Sequence, residues 1–354
     1  VTVIATDPIA RSSFETVRWC RGTKLLVAAS VAWVVFLAVH LLLAGRWWLW
    51  GVVETMPPMA LLVVPLVLLA LTPLARPARR QLVPLLLAAL LAGVPYAGIS
   101  FAAFAGDGNA ANGVKVFSWN TEYWDMSDDP DDFYSYLRAA DADVYLLQEY
   151  LFWDGGPVRI DDLARVRAAF PGYQVAHDSE LITISRLPIR TSRLLAVTDS
   201  DWRGSRVLRT DIEVGGRVVS FYNAHFAVPI DLSLSPFSGE FYDYLHGQYV
   251  RRQDELAALR ADLATNHNPV LVAGDFNSAW VANLLRLRDG VERRDPDTGS
   301  PVPLSWPGET ISLPRMWRLD WVFTTDDVQV EQYRFDADLG YSDHFAQELR
   351  ISVT

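Results

Sequence analysis

The stretch PVLVAGDFNSAW (269–280) sets a buried strand against a carboxylate. Val270, Leu271 and Val272 are apolar, two of them β-branched, and suit a strand covered on both faces. The run nevertheless ends in Asp275 and Asn277. A carboxylate beside a core costs several kcal/mol unless something pairs with it. The rest of the chain must therefore supply partners for Asp275.

The same arrangement recurs through the second two-thirds of the chain. GVKVFSWN (113–120) ends at Asn120, DVYLLQE (143–149) at Glu149, and RVVSFYNAHF (217–226) at Asn223 and His225. RLDWVF (318–323) places Asp320 at the head of a strand, and GYSDHF (340–345) places Asp343 and His344 just before another. Helical segments are predicted at 132–140, 160–170 and 248–263, the last with Leu256, Leu259 and Leu263 on one face. Short strands with intervening helices predict a layered α/β or α+β sandwich. The tract 229–247 has no firm period and reads as a long loop beside the site.

Asn, Asp and Glu are hard oxygen donors, suited to Mg²⁺, Mn²⁺ or Ca²⁺ rather than zinc. Two histidines complete the chemistry of a metal-assisted hydrolase, one taking a proton from water and the other steadying the departing oxygen. Each residue also has a plainer reading. Asn120 and Asn277 close turns in many proteins. Glu149 fits a solvated strand end, His225 a satisfied core histidine, His344 a turn cap beside Asp343, and Asp320 a surface pair with Arg318. The ordered set is what weighs against those readings. His177, His246 and His267 have no motif around them and read as surface residues, and 128–132 as an acidic loop or helix cap.

In that order, WN…QE…N-x-H…GDFN…LDW…SDH resembles the endonuclease/exonuclease/phosphatase superfamily, over about 114–351. Its members include DNase I-like nucleases, inositol polyphosphate phosphatases and neutral sphingomyelinases. The resemblance implies a four-layer β-sandwich of DNase I-like type and a Mg²⁺ (or Mn²⁺) cofactor. It makes Glu149 the principal metal ligand with Asn120 its neighbour, Glu122 a second acidic ligand as in some members, and Asp343 part of the metal site. Asp275 would align the attacking water, and Asn277 would contact phosphate or metal. His344 would be the catalytic histidine, held in its tautomer by Asp320, and His225 would stabilise charge on the phosphoryl oxygens. No tyrosine matches the phosphate-contacting tyrosine of some nuclease members.

The front of the chain differs in kind. Of 31 basic and 42 acidic residues, residues 1–113 hold eight and four, which leaves 23 and 38, a formal charge of −15, for 114–354. Three apolar runs, at about 25–44, 58–75 and 82–104, are predicted to span a membrane after a cytoplasmic segment 1–24. A signal peptide is the alternative for the first, disfavoured by the runs that follow and by the lack of a small-residue cleavage site. Arg11, Arg18, Arg21 and Lys24 precede the first run, and Arg76, Arg79 and Arg80 separate the second from the third. The intervening loop carries only Arg46 among the tryptophans 47, 48 and 50. The positive-inside bias then puts 105–113 as a linker and 114–354 as a catalytic domain outside a multi-pass anchor. His40, inside the first run, expects a partner within the bundle. Cys20 is the single cysteine, which excludes an intramolecular disulfide framework.

These features constrain the substrate. A charge of −15 opposes nucleic acid, whose phosphates need Lys and Arg, although Arg203, Arg206, Arg209, Arg251 and Arg252 are candidates for a local patch. A tether favours membrane-embedded substrates, and apolar residues in 232–245 suit an interface or a lid. Three spans ahead of such a domain are similar to the VanJ-type teicoplanin-resistance proteins, which implies a lipid-linked phosphate or pyrophosphate substrate such as undecaprenyl pyrophosphate, and a link to the cell wall and antibiotic resistance. A phospholipase C or sphingomyelinase-like phosphodiesterase, a surface nuclease and a non-enzymatic assembly or binding module remain open as alternatives. Protein partners are not legible.

Overall fold

The computed structural model describes residues 19–104, 113–124, 129–195, 197, 206–280, 287–308, 312–336 and 340–354. An N-terminal helical module comprises α1 (Arg21–Leu43), α2 (Gly51–Glu54), α3 (Ala60–Leu71) and α4 (Arg79–Gly93). The remainder runs β1 (Val114–Asn120), α5 (Pro130–Ala139), β2 (Val144–Gln148), β3 (Leu151–Trp153), β4 (Pro157–Arg159), α6 (Leu163–Ala169), β5 (Gln174–Asp178), β6 (Leu181–Ser185), β7 (Ile189–Leu194), β8 (Val207–Val214) and β9 (Arg217–His225). It continues through α7 (Gly239–Thr265), β10 (Val270–Asp275), β11 (Val291–Arg294), β12 (Asp320–Thr325), β13 (Val328–Asp336) and β14 (Ala346–Val353).

Twelve of these strands form two six-stranded sheets, ordered β13-β14-β1-β2-β6-β5 and β11-β12-β10-β9-β8-β7, while β3 and β4 make a separate hairpin. The inner faces meet in a core that includes Val116, Leu146, Phe221, Leu271, Ala273, Val322 and Leu349. Phe133, Leu137 and Val166 of α5 and α6 cover the outer face of the first sheet, and Leu256, Leu259 and Leu263 of α7 cover that of the second. The result is the four-layer α/β sandwich expected. Central strands β2 and β10 are buried along their whole length, which is why their sequences read as unbroken apolar runs.

Topology puts the polar strand ends together. In one sheet β1 and β2 are parallel, joined through α5; in the other β9 and β10 are parallel, joined through α7. All four finish at one rim of the sandwich. The antiparallel strands β12 and β14 begin there, with Asp320 opposite Asp275.

Two predictions about the elements change. Tract 229–247 is not a loop throughout, because Ser238 caps α7, its side chain accepting from the Phe241 N–H at 3.2 Å. The helix then buries Phe241 and Leu245 at i, i+4 spacing. Residues 105–112 of the expected linker, together with Arg11, Arg18, Asp128 and Arg203, lie outside the described residues. The second change concerns the spans: among the described residues only α1, with 23 residues, is long and apolar enough to cross a membrane. At about 1.5 Å per residue it reaches about 35 Å, against a hydrocarbon core of roughly 30 Å. α3 has 12 α-helical residues, contains Pro65, and passes into a 3₁₀ turn at Thr72–Ala75 around Pro73. α4 has 15, opens on Arg79 and Arg80, and gives way to a 3₁₀ turn containing Pro95. Proline removes the amide needed to carry an α-helix on.

The three long helices of the module alternate in direction. Leu26 clusters with Leu68, Ala75 and Leu82 at one end, and Leu37 with Leu61 and Ala89 at the other. That second end docks on the sandwich. The indole N–H of Trp280 donates to the Glu54 carbonyl at 2.7 Å and that of Trp317 to the Thr55 carbonyl at 2.9 Å. His40 is buried between Trp50, whose indole N–H donates to its Nδ1 at 3.0 Å, and the Trp280 ring, 4.2 Å away. Its partners thus come from both the bundle and the sandwich.

Gly274 holds the parallel pair β9–β10 together at the rim. Its φ is +142°, and a Cβ there would lie 2.0 Å from the Ala224 carbonyl oxygen. Gly274→Ala should cost at least about 3 kcal/mol, combining a disfavoured backbone with strand separation, read as a lower denaturant midpoint at unchanged slope. A change below about 0.5 kcal/mol, the size of a typical surface substitution, would contradict this strand pairing.

Candidate active site

Asp275 has no exposed surface, and its carboxylate is the hub of the rim. Oδ1 accepts the Asn277 backbone N–H at 2.7 Å; Oδ2 accepts the Asn277 and Asn120 side-chain amides at 3.0 and 3.1 Å. His344 Nε2 and His225 Nε2 lie 3.6 and 3.7 Å from Oδ2. The Asn120 amide also donates to Glu149 at 3.1 Å, while its oxygen accepts the Glu122 N–H at 3.0 Å. As placed, Asn120 bridges two carboxylates rather than turning its oxygen toward the cleft.

Several of these residues hold a left-handed backbone: Glu122, Tyr123, Glu149 and Asn277 have φ of 47°, 68°, 62° and 45°. Such conformations cost about 1–3 kcal/mol each and persist where surroundings over-determine them. Here the surroundings are hydrogen bonds. Glu149 Oε2 accepts the Tyr123 N–H at 3.0 Å, and the Asn277 amide also donates to the Phe226 carbonyl at 3.0 Å.

Each histidine is oriented by its own acid. His344 Nδ1 donates to Asp320 Oδ2 at 2.9 Å, leaving Nε2 to face Asp275. Arg318 does not take Asp320's carboxylate; its guanidinium pairs with Asp295 at 2.7 Å. His225 Nδ1 lies 2.8 Å from Glu180 Oε1, and Arg206 pairs with the same oxygen. The motif analysis missed Glu180 and this role for Arg206. A lone acid immediately before the apolar run LITIS (181–185) was the available signal, the same pattern that marks Asp320. Arg209 is committed elsewhere, to Asp211 and Asp262. Asn223 is a clamp between sheets, donating to the Leu147 and Ile182 carbonyls and accepting from Gln148.

The electrostatics follow from burial. Burial raises the carboxyl pKa of Asp275 and of Glu149, opposed chiefly by His344 and His225 respectively. Burial alone would lower the pKa of His344, but Asp320, Asp275 and Asp343 reverse this and hold it well above the free imidazole value. His225 is raised in the same way, with Glu180 overcoming burial. Burial would raise Glu180, yet Arg206 and His225 hold it below the usual carboxylate range.

These groups face a cleft of about 410 Å³, lined by Asn120, Glu122, Glu149, Asp275, Asn277, Asp343 and His344 among others. Asp343 accepts the Trp306 indole N–H at 2.8 Å and lies 3.9 Å from His344 Nε2. Asp275, Asp320 and His344 place ligand atoms within 4.8 Å of one another, but Asp320 and His344 are already bonded to each other. The donors that remain suit a hard divalent cation: Glu149 and Asp343 carboxylates at the cleft, beside a buried Asp275. Among the described residues His225 Nε2 is buried with no hydrogen-bond partner, 3.8 Å from Glu149 Oε1. His177, His246 and His267 are exposed, as expected.

The model of the endonuclease/exonuclease/phosphatase family matches residues 117–344. Among solved structures, the chain is similar to an endonuclease/exonuclease/phosphatase from Bacteroides vulgatus, at 16% identity and TM-score 0.50, over 69% of this chain and 100% of that one. It is also similar to a mannosyl-6-phosphatase from Bacteroides thetaiotaomicron and to a 3′ phosphatase from Neisseria bound to product DNA hairpin. Both are 15% identical at TM-score 0.49, over 68% of this chain and 99% of theirs. Identities of this order speak to the fold alone. No curated protein matches the chain.

The Glu180–His225 pair gives a signed pH test. A histidine with a raised folded pKa contributes stability below its unfolded value of about 6.5 and loses it as pH rises through the folded value. In Glu180→Gln burial dominates, so the His225 titration midpoint followed by NMR should fall from above that value to below it. An unmoved midpoint would contradict the pairing.

Proposed function

The chain belongs to the endonuclease/exonuclease/phosphatase family, whose members are hydrolases acting on phosphoesters, and from that premise we propose that it is a membrane-anchored, metal-dependent phosphoesterase acting on a lipid-linked phosphate or pyrophosphate. Glu149, Asp343 and, through a carboxylate shared with the reaction, Asp275 would hold the cation, with Glu122 at the edge of the set. Mg²⁺ or Mn²⁺ bound there supplies charge to offset the phosphoryl oxygens.

The protein's own residues supply the rest. Asp275 orients a water for in-line attack on phosphorus; as the new P–O bond forms the opposite P–O bond breaks, the departing oxygen stays on the lipid-linked product, and the water's proton passes to the Asp275–His344 pair. Asp320 keeps His344 in the tautomer whose Nε2 faces the reaction. His225, whose protonated form Glu180 stabilises, would donate to a phosphoryl oxygen as negative charge develops. Asn120 and Asn277 hold the carboxylates in place.

The observation that carries the substrate class is the composition of the cleft. Beside Glu149, Asp275 and His344 it is lined by Gly51, Glu54 and Thr55 of the helical module. That module exposes apolar side chains around its circumference, among them Leu25, Val31 and Val35 of α1, Leu66 of α3 and Leu91 of α4, which suits a lipid surround. Its basic residues Arg21, Lys24, Arg76, Arg79 and Arg80 flank the end remote from the sandwich, so the positive-inside bias supports an extracytoplasmic site. A reactive centre at the outer membrane surface meets lipid head groups. By the VanJ-type likeness, undecaprenyl pyrophosphate is the first substrate to test.

Full-length protein in detergent should release inorganic phosphate from undecaprenyl pyrophosphate with Mg²⁺. Release should stop with EDTA and in His344→Ala. No release would remove the carrier-lipid reading; release of a phosphorylated head group from phospholipids would favour the phospholipase C-like alternative, and cleavage of DNA the nuclease.

A further inference from the structure

We infer that the cleft continues from its phosphate-handling end into a seat for the first segment of the substrate's hydrocarbon chain, with specificity set by two segments outside the hydrogen-bonded set of reacting groups. The inference rests on the phosphoesterase reading and names what lies beyond the phosphate. Val228, Ile230 and Leu232, just after β9, line the same cleft as Glu149 and His344, together with Leu313, Trp317 and Leu319 before β12. None of these side chains belongs to the hydrogen-bonded set around Asp275. Val228, Leu232 and Leu313 are 46%, 79% and 54% exposed, an apolar exposure beside a highly polar centre that a water-soluble phosphate ester would not need.

Two features commit the seat to a hydrocarbon chain rather than to a protein segment. First, it is continuous with the reacting groups, so a chain attached to the phosphate enters it directly. Second, it is braced by the helical module: Trp317 lines the cleft while its indole N–H is fixed on the Thr55 carbonyl, and Trp280, fixed on the Glu54 carbonyl, lines it too. A chain leaving the seat on that side meets the apolar surface of the module. The exposed Phe237, 97% accessible, lies on the same connection as Leu232.

A series of methyl, geranyl and farnesyl pyrophosphate tests this on the full-length protein. In the wild type kcat/KM should rise about tenfold or more from methyl to farnesyl, as burial of successive CH₂ groups predicts. Leu232→Asp and Leu313→Asp, made separately, should cut the farnesyl value about tenfold through KM and leave the methyl value within about twofold. Leu232→Ala and Leu313→Ala should show the same direction at smaller size. A flat wild-type series, or variants that lower methyl and farnesyl turnover equally, overturns the inference while leaving a phosphoesterase. Turnover of no member of the series overturns the lipid-pyrophosphate reading and the inference together.

Discussion

A carboxylate with no exposed surface terminates β10, and the neighbouring elements are arranged around its desolvation. Left alone, Asp275 would take up a proton. It is instead met by two asparagine amides, one backbone N–H and two imidazoles. Each imidazole is in turn held by a second carboxylate, Asp320 or Glu180. Removing one member leaves a buried charge or donor without its counterpart, so such networks are strongly cooperative. The pairing also explains the backbone: Glu149 and Asn277 tolerate positive φ because their side chains and neighbouring amides are bonded into this set.

The set can form because both sheets end at the same rim. Parallel pairs β1–β2 and β9–β10 deliver Asn120, Glu149, His225 and Asp275, while β12 and the segment before β14 deliver Asp320 and His344. Gly274 allows the closest approach of β9 and β10. The helical module is fixed to that rim by backbone carbonyls of 54 and 55 accepting from two tryptophans. An apolar module and a charged reaction centre therefore share one cleft, which places constraints on the substrate that the sandwich alone would not.

Local pattern made much of this legible. An apolar run ending in a polar residue is readable within eight or nine residues and marks Asn120, Glu149, His225 and Asp275, while a polar residue just ahead of such a run marks Asp320 and His344. Their convergence follows from strand direction, which the ordered motifs implied through family likeness. Glu180 escaped notice because a single acid before a strand is common, and only the fold brings it to His225 from 45 residues away. Arg252, a candidate for a basic patch by sequence, lines the cleft from the middle of α7. Helix length was the poorest inference. Apolar composition predicted three crossings, but prolines 73 and 95 and the arginines opening α4 leave one helix of spanning length among the described residues.

Glu149, Asp343 and Asp275 would form an acidic centre whose charge a divalent cation completes. Thermal unfolding of the full-length protein in detergent, with EDTA and then with increasing Mn²⁺, measures this without any substrate. A specific site should raise the unfolding temperature in saturable fashion, equivalent to about 2.7 kcal/mol at a hundredfold excess over Kd, and Glu149→Gln should abolish most of the rise. No Mn²⁺-dependent shift in the wild type, or an equal shift in Glu149→Gln, would contradict it.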